Sequence, residues 1–158
     1  MIFSMAEQML IYRLEDLSMT YWVKGILDPY GIITVVRSFP KQVLAVPTVS
    51  LVTGKLTEEE FELGNRDTGV RIRRWFIDIF AVNESQRDDF GYKILSETKN
   101  GINVFDYNEG FPPDATPTKI NHLSVIKKTF EPIDVIPSQN EKLYYRGQLI
   151  LITKNDKV

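Results

Sequence analysis

Apolar positions recur at helical spacing over residues 5 to 27, where Leu10, Leu14, Leu17 and Tyr21 form a stripe widened by Ile11 and Trp22. Glu7, Arg13, Glu15, Asp16 and Lys24 lie largely off that stripe, so the segment predicts an amphipathic helix of about six turns. "DPYG" ends it: Pro29 disfavours helical geometry at Asp28, and Gly31 supplies a turn. The period then changes. "IITVVRSF" and "AVPTVSLVTG" are rich in β-branched residues and predict two strands broken near Pro40, with Pro47 at an edge or a strand start. "LTEEEFELG" supports two readings. Thr57 with Glu60 resembles a capping box, whereas "FEL" alternates like a strand entering a hairpin at "GNRDTG". We read residues 57–69 as an extended hairpin arm.

"RRWFIDIFAVNESQRDDFGYKIL", residues 73 to 95, reads as one strand running straight into one helix. Trp75, Ile77, Ile79 and Ala81 give the strand an apolar face, and Ile72, Arg74, Phe76, Asp78, Phe80 and Val82 give it a mixed one. Ser85 and Asp88 are placed to cap the helix in a box-like arrangement. Phe90, Ile94 and Leu95 form its buried side, and Asn100-Gly101 stops it. "INVFDY" predicts a short strand, and "NEGFPPDATPT", with three prolines in eleven residues, predicts a loop. "INHLSVIKKTFEPI" and "KLYYRGQLILIT" read as two antiparallel neighbours. The expected fold class is α+β: a single mixed, mostly antiparallel β-sheet packed by two helices, with an extended β-hairpin arm, in one domain spanning residues 1–158.

Composition narrows the function. At 158 residues and 43% hydrophobic the chain has enough apolar surface for a core without staples. The lack of cysteine excludes disulfides and thiolate metal sites, and fits a reducing cytoplasm or an exported particle that carries no cysteine. Apolar runs such as "WFIDIFAV" fall well short of the roughly 20 residues that a membrane helix needs, and the amino terminus lacks the plan of a secretion signal. No membrane partner is expected. A net charge of −2 provides no global positive field, so any nucleic-acid contact requires a local patch.

Candidate chemistry is sparse. His122 is the only histidine and lies within an expected strand. No serine occupies a G-x-S-x-G elbow, and "TGKLT" lacks the upstream glycine of a phosphate loop because Val49 stands there. Glu97 and Lys99 resemble the spaced pair of a metal-dependent nuclease, but on a helix they point about 200° apart and diverge. We therefore expect no catalytic residue, no metal and no cofactor, and read the protein as not an enzyme. In "VRIRRW", Arg71, Arg73 and Arg74 beside Trp75 suit a solvated strand end, a protein contact or phosphate binding. Asp78, between Phe76 and Phe80, is costly to bury unpaired. Either it faces water or a basic neighbour such as Arg74, or the three residues face another copy of the chain.

The element order, together with "VPTVSLVTG", "FELGNRDTGVRIRRWFIDIFAVNESQRDDFGYKIL", "INVFDYNEGFP" and "LYYRGQLILIT", resembles the tail terminator, or tail-completion, proteins of tailed bacteriophages over residues 5 to about 153. The resemblance rests on the "ELG" arm, an "F-x-I-x-I-x-A" strand followed at once by a helix, and a "D-Y" strand end. The "DYNEGFPPDATPTK" and "EPIDVIPSQNEK" connections are particular to this chain. The resemblance implies a virion protein made in the host cytoplasm that forms a homo-oligomeric ring, usually a hexamer. Such a ring stops tail-tube polymerisation, contacts the tail tube protein and offers a docking face to a neck or head-completion protein. DNA passes through it without sequence-specific binding. It further implies subunit or tube contacts through Phe61, Glu62, Leu63, Arg66 and Asp67 of the arm, and through Arg71, Arg73, Arg74, Phe76, Asp78 and Phe80 of the strand that follows. The acidity of the arm suits a DNA passage. The alternatives are another neck, connector or baseplate part, or a DNA-binding accessory protein using "VRIRRW" and "IKK".

Overall fold

The computed structural model describes residues 5–31, 33–37, 47–59, 70–108, 110–111, 114–133 and 145–155. Helix α1 is Met5–Leu27, as its periodicity predicts, followed by a single 3-10 turn over Asp28–Tyr30 and by Gly31 at φ 116°. Its buried side carries Leu14, Met19, Val23 and Leu27, with Leu17, Tyr21, Trp22 and Ile26 half-buried beside them. The buried stripe is therefore rotated from the expected one. Glu15, read as lying off it, is 1% exposed.

Among the described residues six strands form one sheet: β1 (Thr34–Val36), β2 (Thr48–Glu59), β3 (Val70–Ala81), β4 (Ile102–Asp106), β5 (Thr118–Ile133) and β6 (Tyr145–Asn155). Helix α2, Glu84–Glu97, stands between β3 and β4. The strand order is β1-β2-β3-β6-β5-β4. The β1–β2 pair is parallel and all other pairs are antiparallel. The expected α+β class, a mixed and mostly antiparallel sheet packed by two helices, is the observed one, and the sheet curls into a half-barrel. Within the described residues the first strand is shorter than its β-branched run, and Pro47 immediately precedes β2. The β2–β3 ladder continues from Thr48 opposite Phe80 to Glu59 opposite Val70, so the described start of the hairpin arm, Thr57 to Glu59, is extended. Its tip, residues 60–69, lies outside the described residues.

The helix cap lies upstream of the one read from sequence. Asn83 is the N-cap, its Oδ1 accepting from Gln86 N at 2.8 Å, while Gln86 Oε1 accepts from Val82 N at 2.9 Å. Ser85 already lies in the first turn. The Asp88 carboxylate accepts instead from Arg87 Nε at 3.0 Å, so the two reciprocal bonds fall to the Asn83 and Gln86 pair. At the other end Lys128 Nζ donates to Leu95 O at 3.2 Å and Thr98 Oγ1 at 3.0 Å, placing a cation on the carbonyl end of α2. Helix α2 itself ends at Glu97, and Gly101, at φ 69°, closes the 3-10 turn Thr98–Asn100 that follows it.

Both helices pack on the face that Trp75, Ile77, Ile79 and Ala81 share with Val49, Leu51, Leu149 and Leu151. Phe90 and Ile94 seat α2 there, with Gly91 and Gly147 admitting the Phe130 ring: a Cβ on either glycine would sit 2.5 Å or 2.7 Å from it. Helix α1 reaches both edges of the sheet. Ser18 Oγ accepts from Phe105 N, 3.0 Å away on β4, and Asp16 pairs with Arg37 just beyond β1. An edge-strand N–H is thereby satisfied by a side chain from the helix.

Candidate functional site: the helix-free face of the sheet

Side chains alternate along a strand, so the residues of β2, β3, β5 and β6 that do not face the helices share the opposite surface. The registers set them in rows. Thr48, Phe80, Arg146 and Ile133 form one; Ser50, Asp78, Gln148 and Glu131 the next; Val52, Phe76, Ile150 and Thr129 a third. Arg74, Ile152 and Lys127 follow. Among the described residues no helix covers this face. Polarity changes along it: Thr48, Ser50, Asp78 and Phe80 are buried, Val52, Phe76, Ile150 and Ile152 are half-buried, and Arg74, Lys127, Thr129 and Glu131 are exposed.

Asp78 is 3% exposed and sits in a cation's grip. Its Oδ1 accepts from Arg146 Nη2 at 2.8 Å, Arg146 Nε at 3.2 Å and Gln148 Nε2 at 3.3 Å. The Arg146 guanidinium also lies 5.7 Å from the Phe80 ring centroid. Asp78 thus meets a basic neighbour, as one of the two expected readings had it, but the neighbour is Arg146 and not Arg74. Arg74 is four residues along the same strand, roughly 13 Å away at the usual rise, whereas Arg146 comes from the adjacent strand. A buried carboxylate with one oxygen against a guanidinium is stable only because the pair is kept together.

Arg73 turns the other way, into the protein. It shares the Trp75 face, is 5% exposed, and lies 4.2 Å from the Trp75 ring centroid and 5.5 Å from that of Tyr12. Its Nη2 bonds Asp16 Oδ1 at 2.7 Å and its Nη1 approaches Glu15 Oε1 at 4.0 Å. Asp16 Oδ2 in turn binds Arg37 Nη2 at 3.0 Å. Two arginines and two carboxylates thus link α1, β3 and the residue after β1. Trp75, also inward, donates through Nε1 to Thr153 Oγ1 at 2.9 Å. The "VRIRRW" run is consequently no continuous basic strip: Arg73 is internal, Arg74 is exposed on the helix-free face, and the Arg71 side chain lies outside the described residues.

Of the residues singled out from sequence, Arg74, Phe76, Asp78 and Phe80 share the helix-free face, with Asp78 and Phe80 buried by partners within the chain. Phe61, Glu62, Leu63, Arg66 and Asp67 lie outside the described residues. Sequence reasoning missed Arg146, Gln148, Ile150 and Ile152 on β6. Their alternation with Gly147, Leu149 and Leu151 was readable, but the strand they flank was not.

A second concavity, about 690 Å³, lies between α1 and β4 and is lined by Ser18, Tyr21, Trp22, Phe105 and Tyr107 among others. Tyr107 stacks on Tyr21 with centroids 5.2 Å apart and on Phe111 at 5.6 Å. Burial pushes its phenol above the ordinary 10.0, against a smaller lowering by the Ser18 hydrogen bond. Among the described residues no group of three or more histidine, cysteine, aspartate or glutamate side chains is placed to hold a metal ion. No helix among them is long and apolar enough to cross a membrane. His122 lies on β5 with Nδ1 3.0 Å from Asn103 Oδ1. The chain matches no protein-family model and no curated protein.

Proposed function

We propose that the chain is the subunit of a homo-oligomeric ring in a tailed-bacteriophage particle, acting as a tail terminator that caps the tail tube and presents a docking face to the neck or head. The observation that carries this reading is the helix-free sheet face. Its half-buried row of Val52, Phe76 and Ile150 is flanked by exposed Arg74 and Lys127 on one side and exposed Glu131 on the other. Covering that row with a neighbour gains about 25 cal/mol for each Å² of apolar surface removed from water. The flanking charges of opposite sign set the register between copies. The β2–β3 arm, extended to Glu59 and Val70, gives each copy a projection toward the next subunit or the tube. The sequence resemblance supplies the kind of assembly, a virion ring through which DNA passes unread.

Sedimentation velocity and negative-stain microscopy of the purified chain test the proposal, with Ile150→Glu as the probe. Rings with a central hole are expected for the wild type. A folded monomer, with an unchanged far-ultraviolet spectrum, is expected for the variant. A wild-type chain that stays monomeric at high concentration and ignores purified tail tubes overturns the reading.

A further inference from the structure

The ladder between β4 and β5 ends where Ile102 faces Leu123. Beyond that point β5 has no strand on its outer side among the described residues. The turn Thr98–Asn100 and Gly101 lie alongside it instead, leaving a cleft of about 320 Å³ between that turn and Ser124 to Lys128. A register shift between Val125 and Lys127 puts an extra residue into β5 here, and exposed Ile126 marks the break. The His122 ring packs against the Gly101 backbone so closely that a side chain there would collide with it, which fixes one wall.

The lining is of one sign. Lys99, Lys127 and Lys128 all border the cleft with His122 and Ser124, and among the described residues no carboxylate does. In a chain of net charge −2, three lysines among the residues that line one concavity stand against the general balance. Lys128 neutralises the carbonyl end of α2 through its bonds to Leu95 O and Thr98 Oγ1, so the helix terminus does not repel an anion from within. Lys99 and Lys127 are exposed and form no ion pair among the described residues. Their charges are available to a ligand. The Ser124 hydroxyl and the free edge of β5 add neutral donors of the kind that complete an oxyanion site.

We propose that this cleft binds a phosphate group, held by Lys99 and Lys127 with Ser124 at its edge. Lysine suits this role as a compact point charge on a flexible stem, which tolerates either a phosphodiester or a terminal phosphate. The cleft is at the small end of the roughly 300–1,000 Å³ that ligand sites occupy, so it accommodates one or two phosphates rather than a large ligand. Lys127 ends the Arg74–Ile152 row of the helix-free face and so is shared with the proposed ring surface, whereas Lys99 in the Thr98–Asn100 turn is not; weaker pyrophosphate binding by Lys99→Glu alone separates phosphate binding from ring assembly.

Isothermal titration calorimetry of the full chain tests it, with inorganic pyrophosphate in one arm and a short DNA duplex in the other. Beside Lys99→Glu alone, three proteins are compared: the wild type, Lys99→Glu/Lys127→Glu, and a control of equal charge change, Lys24→Glu/Lys119→Glu. Lys128 is left intact because it ties the helix end. Pyrophosphate is expected to bind the wild type and the control alike, and the cleft variant at least about tenfold more weakly, the worth of one hydrogen bond to a charged group. Duplex binding that pyrophosphate displaces, and that the cleft variant loses, identifies a nucleic-acid backbone as the source of the phosphate; pyrophosphate binding alone identifies a small phosphate compound. Absence of binding in both arms at millimolar ligand, or equal weakening in the control, overturns the proposal.

Discussion

Arg146 on β6 reaches Asp78 on β3 through two hydrogen bonds, 2.8 Å and 3.2 Å long, onto one carboxylate oxygen. The two residues are 68 positions apart, and their contact explains why an aspartate is tolerated inside a strand that otherwise reads as apolar. The charge does not need to be exposed, because a facing strand carries its counter-charge.

Breaking that pair from one side is therefore expected to be costly. Arg146→Met leaves the 3%-exposed Asp78 carboxylate without its cation and should lower the unfolding free energy by about 3 kcal/mol in urea titrations. Asp78→Asn combined with Arg146→Met should recover part of the loss, because no buried charge then remains. A double variant as unstable as the sum of the single variants would show the pair to be uncoupled.

Arg73 gives a contrasting case. Arg73→Lys keeps the charge but loses the flat contact with the Trp75 ring and the planar fork that meets Asp16, and we expect a loss of about 2 kcal/mol. Arg37→Ala removes only the outer, 46%-exposed partner of the same carboxylate, and the expected cost is below about 1 kcal/mol. Urea midpoints of the two variants, measured together, check the ranking.

Gly91→Ala places a methyl group 2.5 Å from the Phe130 ring, beneath α2. The overpacked seam should lose about 1–3 kcal/mol. Shrinking the ring with Phe130→Leu in the same chain is expected to relieve much of that penalty, visible as a rise in thermal midpoint over Gly91→Ala alone.

The Tyr107 phenol, raised by burial, sets an alkaline limit. Below pH 10.0 it is protonated in both the folded and the unfolded chain, and its full contribution to stability is present. As pH rises past that value the unfolded phenol ionises first. The folded chain then binds more protons than the unfolded one, and stability falls until the folded phenol ionises too. Tyr107→Phe should remove this component. The gap in urea midpoint between wild type and variant is expected to narrow or reverse between about pH 8 and about pH 11.

How far the chain could be read in advance differs between its levels. The α1 and α2 helices, the β3 strand with its two faces and the Gly31 and Gly101 stops all follow from periodicity and turn chemistry, which act within a few residues. The helix cap was displaced because Ser85 and Asn83 are both competent caps, and the choice depended on where β3 lets the chain go. Glu15 was misplaced for a non-local reason. A glutamate on a helix face is ordinarily solvated, and only the arrival of Arg73 from β3 makes its burial tolerable.

The sequence alone determined which residues alternate, which recur every third or fourth position and where the chain must turn, since these depend on backbone geometry and side-chain volume close at hand. It could not say that β6 inserts between β3 and β5, because strand pairing is decided by long-range closure and by the fit of whole apolar faces. That insertion delivers Arg146 to Asp78, builds the Phe76 and Ile150 row, and leaves β5 with the margin that the Thr98–Asn100 turn lies alongside. The candidate surfaces of this protein are thus products of tertiary pairing, assembled from strands whose individual character was already written in their alternation.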